Sequence, residues 1–164
     1  MTAFLRVERA HPPYKGRRLS EFSPGDTFGT EVAITADHLA EGARLIDDYN
    51  PLHVDPDFAA RSRFGGTVLH GVITSALMSA PFGNLVAGTA VGYLEHNCRF
   101  LAPVRAGDVL RIVWRVVEVA PKPALGAGIV TAECEARNQR GELVAAATGK
   151  MMVGEGDAAP PRTP

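Results

Sequence analysis

The pattern of hydrophobic and polar residues changes character near residue 88. Before that point the pattern predicts a strand over 28–34, two short helices over 36–48 and 56–63, and a longer helix over about 70–86. The first helix has one apolar stripe at helical spacing, formed by Leu39, Ala43 and Ile46. The longest helix is apolar on nearly every side, so other parts of the fold must enclose it.

Beyond residue 88 the chain is predicted to form four strands, over 89–100, 108–120, 126–138 and 142–153. In the third of these, small apolar residues alternate with charged or hydroxyl residues, which is typical of a sheet with one solvated face. This sheet is the element available to enclose the apolar helix. The sequence therefore predicts an α+β domain in which an antiparallel sheet curves around one long central helix.

The composition fits a single soluble domain. The 164 residues are 46% hydrophobic and 21% charged, with a net charge of -1, so a core can form and nucleic acid is not an expected partner. Cys98 and Cys134 lack the spacing of a zinc site or a disulfide scaffold, and we expect both to be buried thiols. Residues rich in Pro, Gly and charge predict an N-terminal extension over 1–18 and a flexible tail over 154–164, which leaves the domain at 19–153.

One uncharged stretch, residues 64–94, is long enough in principle to span a bilayer. It contains six glycines and Pro81, however, which favours a buried helix followed by a strand, and we expect no membrane partner. Near the start, Arg6, Glu8 and Arg9 interrupt any apolar segment of signal-peptide length. We therefore expect the protein to be cytoplasmic.

Two short stretches carry the candidate chemistry. The first, "DYNPLHVDP", places Asp48 and His53 on either side of an Asn-Pro turn, and the second, "LHGV", brings His70 and Gly71 seventeen residues after the first histidine. The turn can bring the carboxylate and the imidazole onto one water molecule. The predicted start of the long helix at His70-Gly71 would direct unpaired N–H groups at an oxyanion. Asp and Asn are also ordinary turn residues, so these stretches alone do not establish a site.

The wider stretch "DDYNPLHVDPDFAARSRFGGTVLHGVITSALMS" resembles the hydratase-2 motif of the MaoC-like dehydratases, the (R)-specific enoyl-CoA hydratases of the hot dog fold. Further on, "RFLAPVRAGD" resembles the Phe, Pro-Val, Gly-Asp segment that joins two strands in that family. The resemblance covers residues 45–110 closely. It implies a single hot dog fold, in which short overhanging helices carry the site, and a homodimer or higher homo-oligomer with sites near the subunit interface.

The resemblance also implies an activity, the reversible addition of water to a trans-2-enoyl-CoA to give the (R)-3-hydroxyacyl-CoA. This is a hydro-lyase reaction with an acyl-CoA substrate and without a cofactor or metal. The resemblance implies that Asp48 and His53 are the catalytic pair, that Asn50 supports them, and that the Gly71 amide binds the thioester oxygen. The remaining candidates for substrate binding are Ser79, at the position of a site-lining serine, and His70, whose plainer role is packing at the helix start.

The same residues are compatible with three different functions. A metal site built from His53, Asp55 and His70 lacks the helical H-E-x-x-H spacing, and Asp55 also fits a turn or helix cap. A hot dog acyl-CoA thioesterase shares the fold but hydrolyses the thioester instead of hydrating it. A non-catalytic acyl-CoA-binding protein would bind the thioester without reaction.

Two further expectations concern the substrate. Pro81 lies inside the long helix, where proline removes a backbone hydrogen bond, and we expect a bend near 78–82 that reshapes the acyl pocket. The candidates for contact with the CoA phosphates are Arg61, Arg63 and Lys122.

Overall fold

The computed structural model describes residues 4–156. The helices are α1 (Ala36–Ile46), α2 (Pro51–Val54), α3 (Pro56–Arg61) and α4 (Gly71–Leu85). The strands are β1 (Leu5–Arg6), β2 (Thr27–Ala33), β3 (Ala90–Phe100), β4 (Val109–Lys122), β5 (Ala127–Arg137) and β6 (Leu143–Gly154). Short 3-10 helices cover Leu19–Glu21 and Pro123–Leu125. The predicted order of strand, short helices, long helix and four strands is confirmed, with β1 and α2 as additional elements.

The strands form one sheet in the order β1-β2-β4-β5-β6-β3. β1 pairs with β2 in parallel, and every other neighbouring pair in the described sheet is antiparallel. The hairpin between β5 and β6 is closed by Asn138, whose N–H donates to the Glu142 carbonyl. β2 and β3 lie on opposite sides of the central strands, so α4, which joins the two halves of the chain, must cross the sheet between them.

The inner face of the sheet packs against α4. On β5 the four small residues of the predicted alternation are buried, whereas Glu133, Glu135 and Arg137 are exposed. On α4, Met78 and Phe82 are fully buried at the i, i+4 spacing of one helical face. The Trp114 indole N–H from β4 donates to the Met78 carbonyl at 2.8 Å, so a side chain of the sheet is bonded directly to the helix backbone.

The N-terminal segment packs onto the domain within the described residues. Val7 is buried, and its N–H donates to the Gly29 carbonyl at 2.7 Å. The N–H groups of Gly16 and Arg17 donate to carbonyls at the end of α4 and just beyond it. The predicted loose extension is therefore attached along this part of its length, because its backbone donors find partners on β2 and near α4. Most of the predicted tail, residues 157–164, lies outside the described residues.

Two further expectations concern the two cysteines, which were expected to be buried thiols, and the uncharged stretch, which was expected not to span a membrane. Cys134 is buried and Cys98 is half-buried, and both are free thiols. They stand on β5 and β3 opposite the same residue of β6, Ala147, on either side of it. Among residues 4–156 no helix combines the length and the hydrophobicity needed to cross a membrane.

Candidate active site

The end of α1 directs Asp48 away from the helix. The helix ends at Ile46, two residues earlier than predicted, and Asp47 adopts a left-handed conformation with φ 55°. Left-handed residues commonly terminate helices, and aspartate tolerates the conformation better than most residues. The Asp48 N–H still donates to the Ala43 carbonyl at 3.2 Å, which fixes where the chain leaves α1.

Asn50 holds the turn that follows. Its N–H donates to Asp48 Oδ1 at 3.1 Å, and its side-chain oxygen accepts the Leu52 N–H at 3.1 Å as the N-cap of α2. Pro51 occupies the first turn of α2, where a proline is well tolerated. The predicted supporting role of Asn50 therefore has a physical basis: one oxygen of the Asp48 carboxylate is occupied by Asn50, and the other faces the histidines.

His53 lies on α2 with one ring nitrogen bonded to the backbone. Nδ1 donates to the Val68 carbonyl at 2.7 Å, and because a carbonyl can only accept, the proton of the neutral ring is on Nδ1. The Val68 N–H in turn donates to the Leu52 carbonyl at 3.1 Å, which ties α2 to the segment before α4. The neutral ring therefore keeps a lone pair on Nε2, as a group that exchanges protons with water requires.

His70 is buried directly beneath this pair. It is 1% exposed, its Nε2–H donates to the Asp48 main-chain carbonyl at 2.9 Å, and its ring stacks on His53 with centroids 3.7 Å apart. Its Nε2 lies 3.9 Å from Asp48 Oδ2. Within the described residues its Nδ1 has no hydrogen-bond partner. His70 thus supports both Asp48 and His53 from below rather than from the solvent side.

These three residues converge on a small volume. One carboxylate oxygen of Asp48 and one ring nitrogen of each histidine all lie within 4.8 Å of one another. Two hydrogen bonds of about 2.8 Å that meet at a tetrahedral water span roughly 4.6 Å. The upper limit of 4.8 Å between Asp48 and His53 is therefore compatible with one water molecule held between them.

The backbone at the start of α4 supplies a donor beside this volume. The N–H groups of Ile73 and Thr74 both donate to the His70 carbonyl, at 3.1 and 3.0 Å. The Gly71 N–H, the first of the helix, has no protein acceptor in the part of the chain that the structure describes. The Phe100 ring packs so closely on Gly71 that an added Cβ would lie 2.9–3.1 Å from three ring atoms. A side chain at position 71 would push the ring out of its place.

A cavity of about 340 Å³ opens beside His53 and Gly71, and we call it the site cavity. Its size is at the lower end of the roughly 300–1,000 Å³ found for ligand pockets. Its lining is apolar apart from His53, Arg63 and Thr74. The other lining residues are Leu52, Phe64, Val68, Leu69, Gly71, Phe100, Leu101, Ala102, Pro103, Val104 and Val144. The arrangement can take an apolar chain at one end and a polar, protonatable group at the other.

Several predicted residues lie away from the site cavity. Ser79 is two turns further along α4 and donates to the Ala76 carbonyl at 2.8 Å. Lys122 is the last residue of β4 and does not line the site cavity, and its contact with CoA phosphates stays a prediction. Arg63 lines the site cavity, whereas Arg61 is exposed on α3 outside that lining.

Pro81 differs from the prediction in its surroundings. α4 continues through Pro81 to Leu85, and Pro81 is buried. It lines a separate groove between α4 and the N-terminal segment, together with Val7 and Leu77. Pro81 itself does not line the site cavity, and the expectation of a bend near 78–82 that reshapes the acyl pocket stays a prediction.

The residues of the metal hypothesis are engaged elsewhere. Asp55 caps α3, accepting the Phe58 N–H at 2.9 Å. Asp48, rather than Asp55, is the carboxylate near the two histidines. However, His70 Nε2 is bonded to the Asp48 backbone carbonyl, and His53 Nδ1 is bonded to the Val68 carbonyl. An ion bound at His70 Nε2, the ring nitrogen near the Asp48 carboxylate, would have to displace the bond that holds His70 to the Asp48 backbone. The donor set therefore fits a hydrogen-bonded pair better than a metal centre.

Most of the lining residues were not predicted from the sequence, and Thr74 and Phe100 are two that contact the start of α4 or belong to it. Thr74 is 2% exposed and sits one turn after Gly71 on the same face of α4. Helical spacing from Gly71 would have identified it. Phe100 is 51% exposed and comes at the end of β3, within the stretch "RFLAPVRAGD", where the spacing alone assigns it no contact with Gly71.

Known proteins resemble this chain in sequence. It is 35% identical over 89 residues to the 3-hydroxybutyryl-CoA dehydratase of Methylorubrum extorquens, which covers 54% of this chain and 57% of that protein. It is 38% identical over 73 residues to the (R)-specific enoyl-CoA hydratase of Aeromonas caviae, which covers 44% of this chain and 54% of that protein. The chain thus spans a little over half the length of these curated relatives.

Solved structures resemble it over a larger share. The unliganded R-hydratase of Pseudomonas aeruginosa superposes with a TM-score of 0.75 at 29% identity, over 84% of this chain and 86% of that one. The MaoC-like dehydratase of Rhodospirillum rubrum does so with a TM-score of 0.73 at 28% identity, over 85% and 98%. The predicted hot dog fold is therefore confirmed. The family model for the MaoC like domain matches residues 21–137, and this chain belongs to that family.

Proposed function

We propose that this protein catalyses the reversible addition of water to a trans-2-enoyl-CoA thioester, giving the (R)-3-hydroxyacyl-CoA. The observation that carries the proposal is the convergence of Asp48 and His53 beside the site cavity, with the Gly71 N–H at the same end. The names of the similar proteins, a 3-hydroxybutyryl-CoA dehydratase and an (R)-specific enoyl-CoA hydratase, support the same reaction class.

In the proposed mechanism Asp48 and His53 hold the reacting water between them. The water oxygen bonds to the β carbon of the enoyl group, and one water proton passes to the pair. The pair delivers a proton to the α carbon, so its total number of protons is unchanged over the cycle. His53 suits this exchange because Nε2 carries the lone pair, and Asp48 suits it because Asn50 occupies only one of its oxygens.

Negative charge develops on the thioester oxygen as water adds, and the start of α4 is the proposed stabiliser. The Gly71 N–H is oriented by the helix, and the positive end of the helix dipole lies at the same point. The absence of a side chain at Gly71 lets the thioester approach the backbone closely. The proposed reaction uses proton transfer and backbone hydrogen bonding alone, so it requires no cofactor or metal.

The remaining assignments are supporting ones. We propose that Asn50 positions Asp48 and that His70 supports the pair from below, because each is bonded to Asp48. Ser79 would reach a substrate only if the acyl chain ran along α4 beyond Thr74.

We also propose that the protein acts as a homodimer or higher homo-oligomer. β3 is the last strand of the sheet order, and its Val91 and Leu94 are more than half exposed. An apolar, unpaired sheet edge is a surface that a second copy can cover.

The reaction is tested with crotonyl-CoA, following the loss of absorbance of the conjugated thioester. Asp48→Asn and His53→Ala should each lower kcat by about 10² to 10⁴, the usual contribution of a general acid or base. Asp57→Asn is the matched control, since it makes the same change at an exposed position on α3. Near-normal rates in either site variant would contradict the mechanism.

Two further readouts separate hydration from the competing functions. Release of free CoA, detected with a thiol reagent, would identify a thioesterase instead. Binding of the thioester with neither hydration nor hydrolysis would identify a non-catalytic acyl-CoA-binding protein. Oxidation of the product by an (R)-specific but not an (S)-specific 3-hydroxyacyl-CoA dehydrogenase would verify the stereochemistry.

A further inference from the structure

The site cavity has two walls that come from different parts of the chain. One wall is the loop between α3 and α4, which contributes Arg63 and Phe64. The opposite wall is the segment after β3, from Leu101 to Val104. Arg105 follows this second wall directly in the sequence, but its side chain reaches back to the first.

Arg105 joins the two walls through hydrogen bonds. Its Nη1 donates to the Gly66 carbonyl at 3.3 Å, and its Nη2 donates to the Phe64 carbonyl. Its backbone N–H is held in turn by Asp108 Oδ2 at 2.9 Å, and Asp108 is 4% exposed. The backbone of Arg105 is therefore held by a buried carboxylate, and its guanidinium is fastened to the loop.

The loop is built to receive this side chain. Gly65 and Gly66 have φ values of +66° and +158°, which few other residues adopt, and these angles shape the backbone that carries the two carbonyls. A Cβ at Gly66 would lie 3.3 Å from Arg105 Nη1, tighter than an ordinary contact. The planar guanidinium of arginine carries N–H donors on two nitrogens, which can bond the Phe64 and Gly66 carbonyls at the same time. The single ammonium group of a lysine does not reproduce that geometry.

We propose that Arg105 is a positioning residue that fixes the Arg63–Phe64 wall and so sets the affinity of the site for its CoA thioester. This inference rests on the proposed function. Within residues 4–156 Arg105 makes no hydrogen bond to Asp48, His53 or Gly71. Arg63 stacks on the Phe64 ring, with its guanidinium carbon 4.8 Å from the ring centroid, so the two side chains move together. Loss of these two bonds loosens the Arg63–Phe64 wall, while Leu69, further along the loop, stays bonded to the Val104 carbonyl and the proton-transfer groups stay in place.

The test compares Arg105→Met and Arg105→Lys with Arg140→Met. Arg140 is a matched control because its Nη1 contacts the same Asp108, at 3.4 Å, but not the loop. With crotonyl-CoA, Arg105→Met should raise KM about tenfold and change kcat by less than about threefold, because the loop must then be ordered when the thioester binds. Arg105→Lys should give an intermediate KM, and Arg140→Met should match the wild type. Should Arg105→Met fail to fold, Arg105→Lys carries the comparison.

Binding of butyryl-CoA, measured by calorimetry, makes the result independent of turnover, because this saturated thioester cannot be hydrated. If Arg105→Met binds butyryl-CoA more weakly than Arg140→Met does, the inference is supported, even if crotonyl-CoA is not hydrated. The lack of hydration would overturn only the proposed function. An unchanged KM and unchanged butyryl-CoA binding in Arg105→Met overturn the inference and leave the proposed function standing. Wild-type protein that neither binds nor hydrates these thioesters overturns both.

Discussion

The substitution Gly71→Ala adds one methyl group where α4 meets the Phe100 ring. The new Cβ would lie 2.9, 3.0 and 3.1 Å from three ring atoms, whereas ordinary contacts begin at 3.4 Å. The ring must therefore retreat by at least about 0.5 Å, and Phe100, at 51% exposure, is free to turn toward solvent. The change displaces one wall of the site cavity at the amide proposed to bind the thioester oxygen.

The expected loss follows from that displacement. A misplacement of about 1 Å near reacting atoms can lower a rate by about 10². For a shift of half to one ångström we expect kcat/KM to fall by about 10 to 100-fold, which corresponds to about 1.4–2.7 kcal/mol of transition-state stabilisation. Stability should change little, because alanine is favoured over glycine in helices by up to about 1 kcal/mol and this gain offsets the displaced ring.

The measurement pairs kcat/KM for crotonyl-CoA with the free energy of unfolding in urea. Gly83→Ala is the matched control, because it adds the same methyl group to the exposed side of the same helix with nothing within 4 Å. It should keep wild-type activity and gain about 0.5–1 kcal/mol of stability. Wild-type kcat/KM in Gly71→Ala would refute the argument from close approach, and so would a loss of stability large enough to explain the lost activity.

Two other predictions concern stability. Burial raises the pKa of the Cys134 thiol above its ordinary value of 9.0. Above pH 9 the unfolded chain therefore binds fewer protons than the folded chain does. The free energy of unfolding then falls as the pH rises, by at most about 1.4 kcal/mol per pH unit. Urea unfolding at pH 8 and pH 10 should show a smaller fall in Cys134→Ala, and an equal fall would contradict the assignment. Trp114→Phe removes the hydrogen bond to Met78 and leaves a void in a fully buried position, which should cost about 2–4 kcal/mol in the same assay at pH 8. A cost below about 1 kcal/mol would show that the sheet does not depend on that contact.

The long elements could be predicted from the sequence because their patterns have one physical interpretation. The helix expected over 70–86 is observed over Gly71–Leu85, and the strand expected over 126–138 is observed over Ala127–Arg137. An uncharged apolar segment must be buried, and strict alternation requires a half-buried strand. The predicted inner face of the strand is buried, whereas α4 buries Thr74, Met78, Pro81 and Phe82 but leaves Val72 57% exposed, so its expected enclosure on nearly every side is not observed in the single chain.

The short elements have no such pattern. β1 is two residues long and exists only because Leu5 and Arg6 pair with β2. α2 has four residues and begins at the Asn-Pro pair, with Asn50 as its cap, whereas α1 already ends at Ile46. Such elements depend on contacts with distant parts of the chain, which local propensity does not contain.

The site could be predicted only in part. The residue types around Asp48 and His53 indicated proton transfer, but the closeness of the two side chains depends on a left-handed residue, a capped turn and a bond to the Val68 carbonyl. Lys122 is a candidate because of its charge alone, and it lies at the end of a long strand outside the site cavity, so its contact with CoA stays a prediction. Charge alone does not locate a residue on a folded surface.

His70 explains why the two halves of the motif belong together. Its ring is bonded to the Asp48 backbone and stacked on His53, while its own carbonyl accepts the N–H groups of Ile73 and Thr74 in the first turn of α4. One buried residue thus joins the exit of α1, the ring on α2 and the start of α4. The sixteen residues between the two histidines include α3 and the loop fastened by Arg105, and they allow the chain to return beneath the pair. The geometry of the proposed water site and that of the proposed oxyanion donor are therefore both tied to His70, the first through its ring and the second through its main-chain carbonyl.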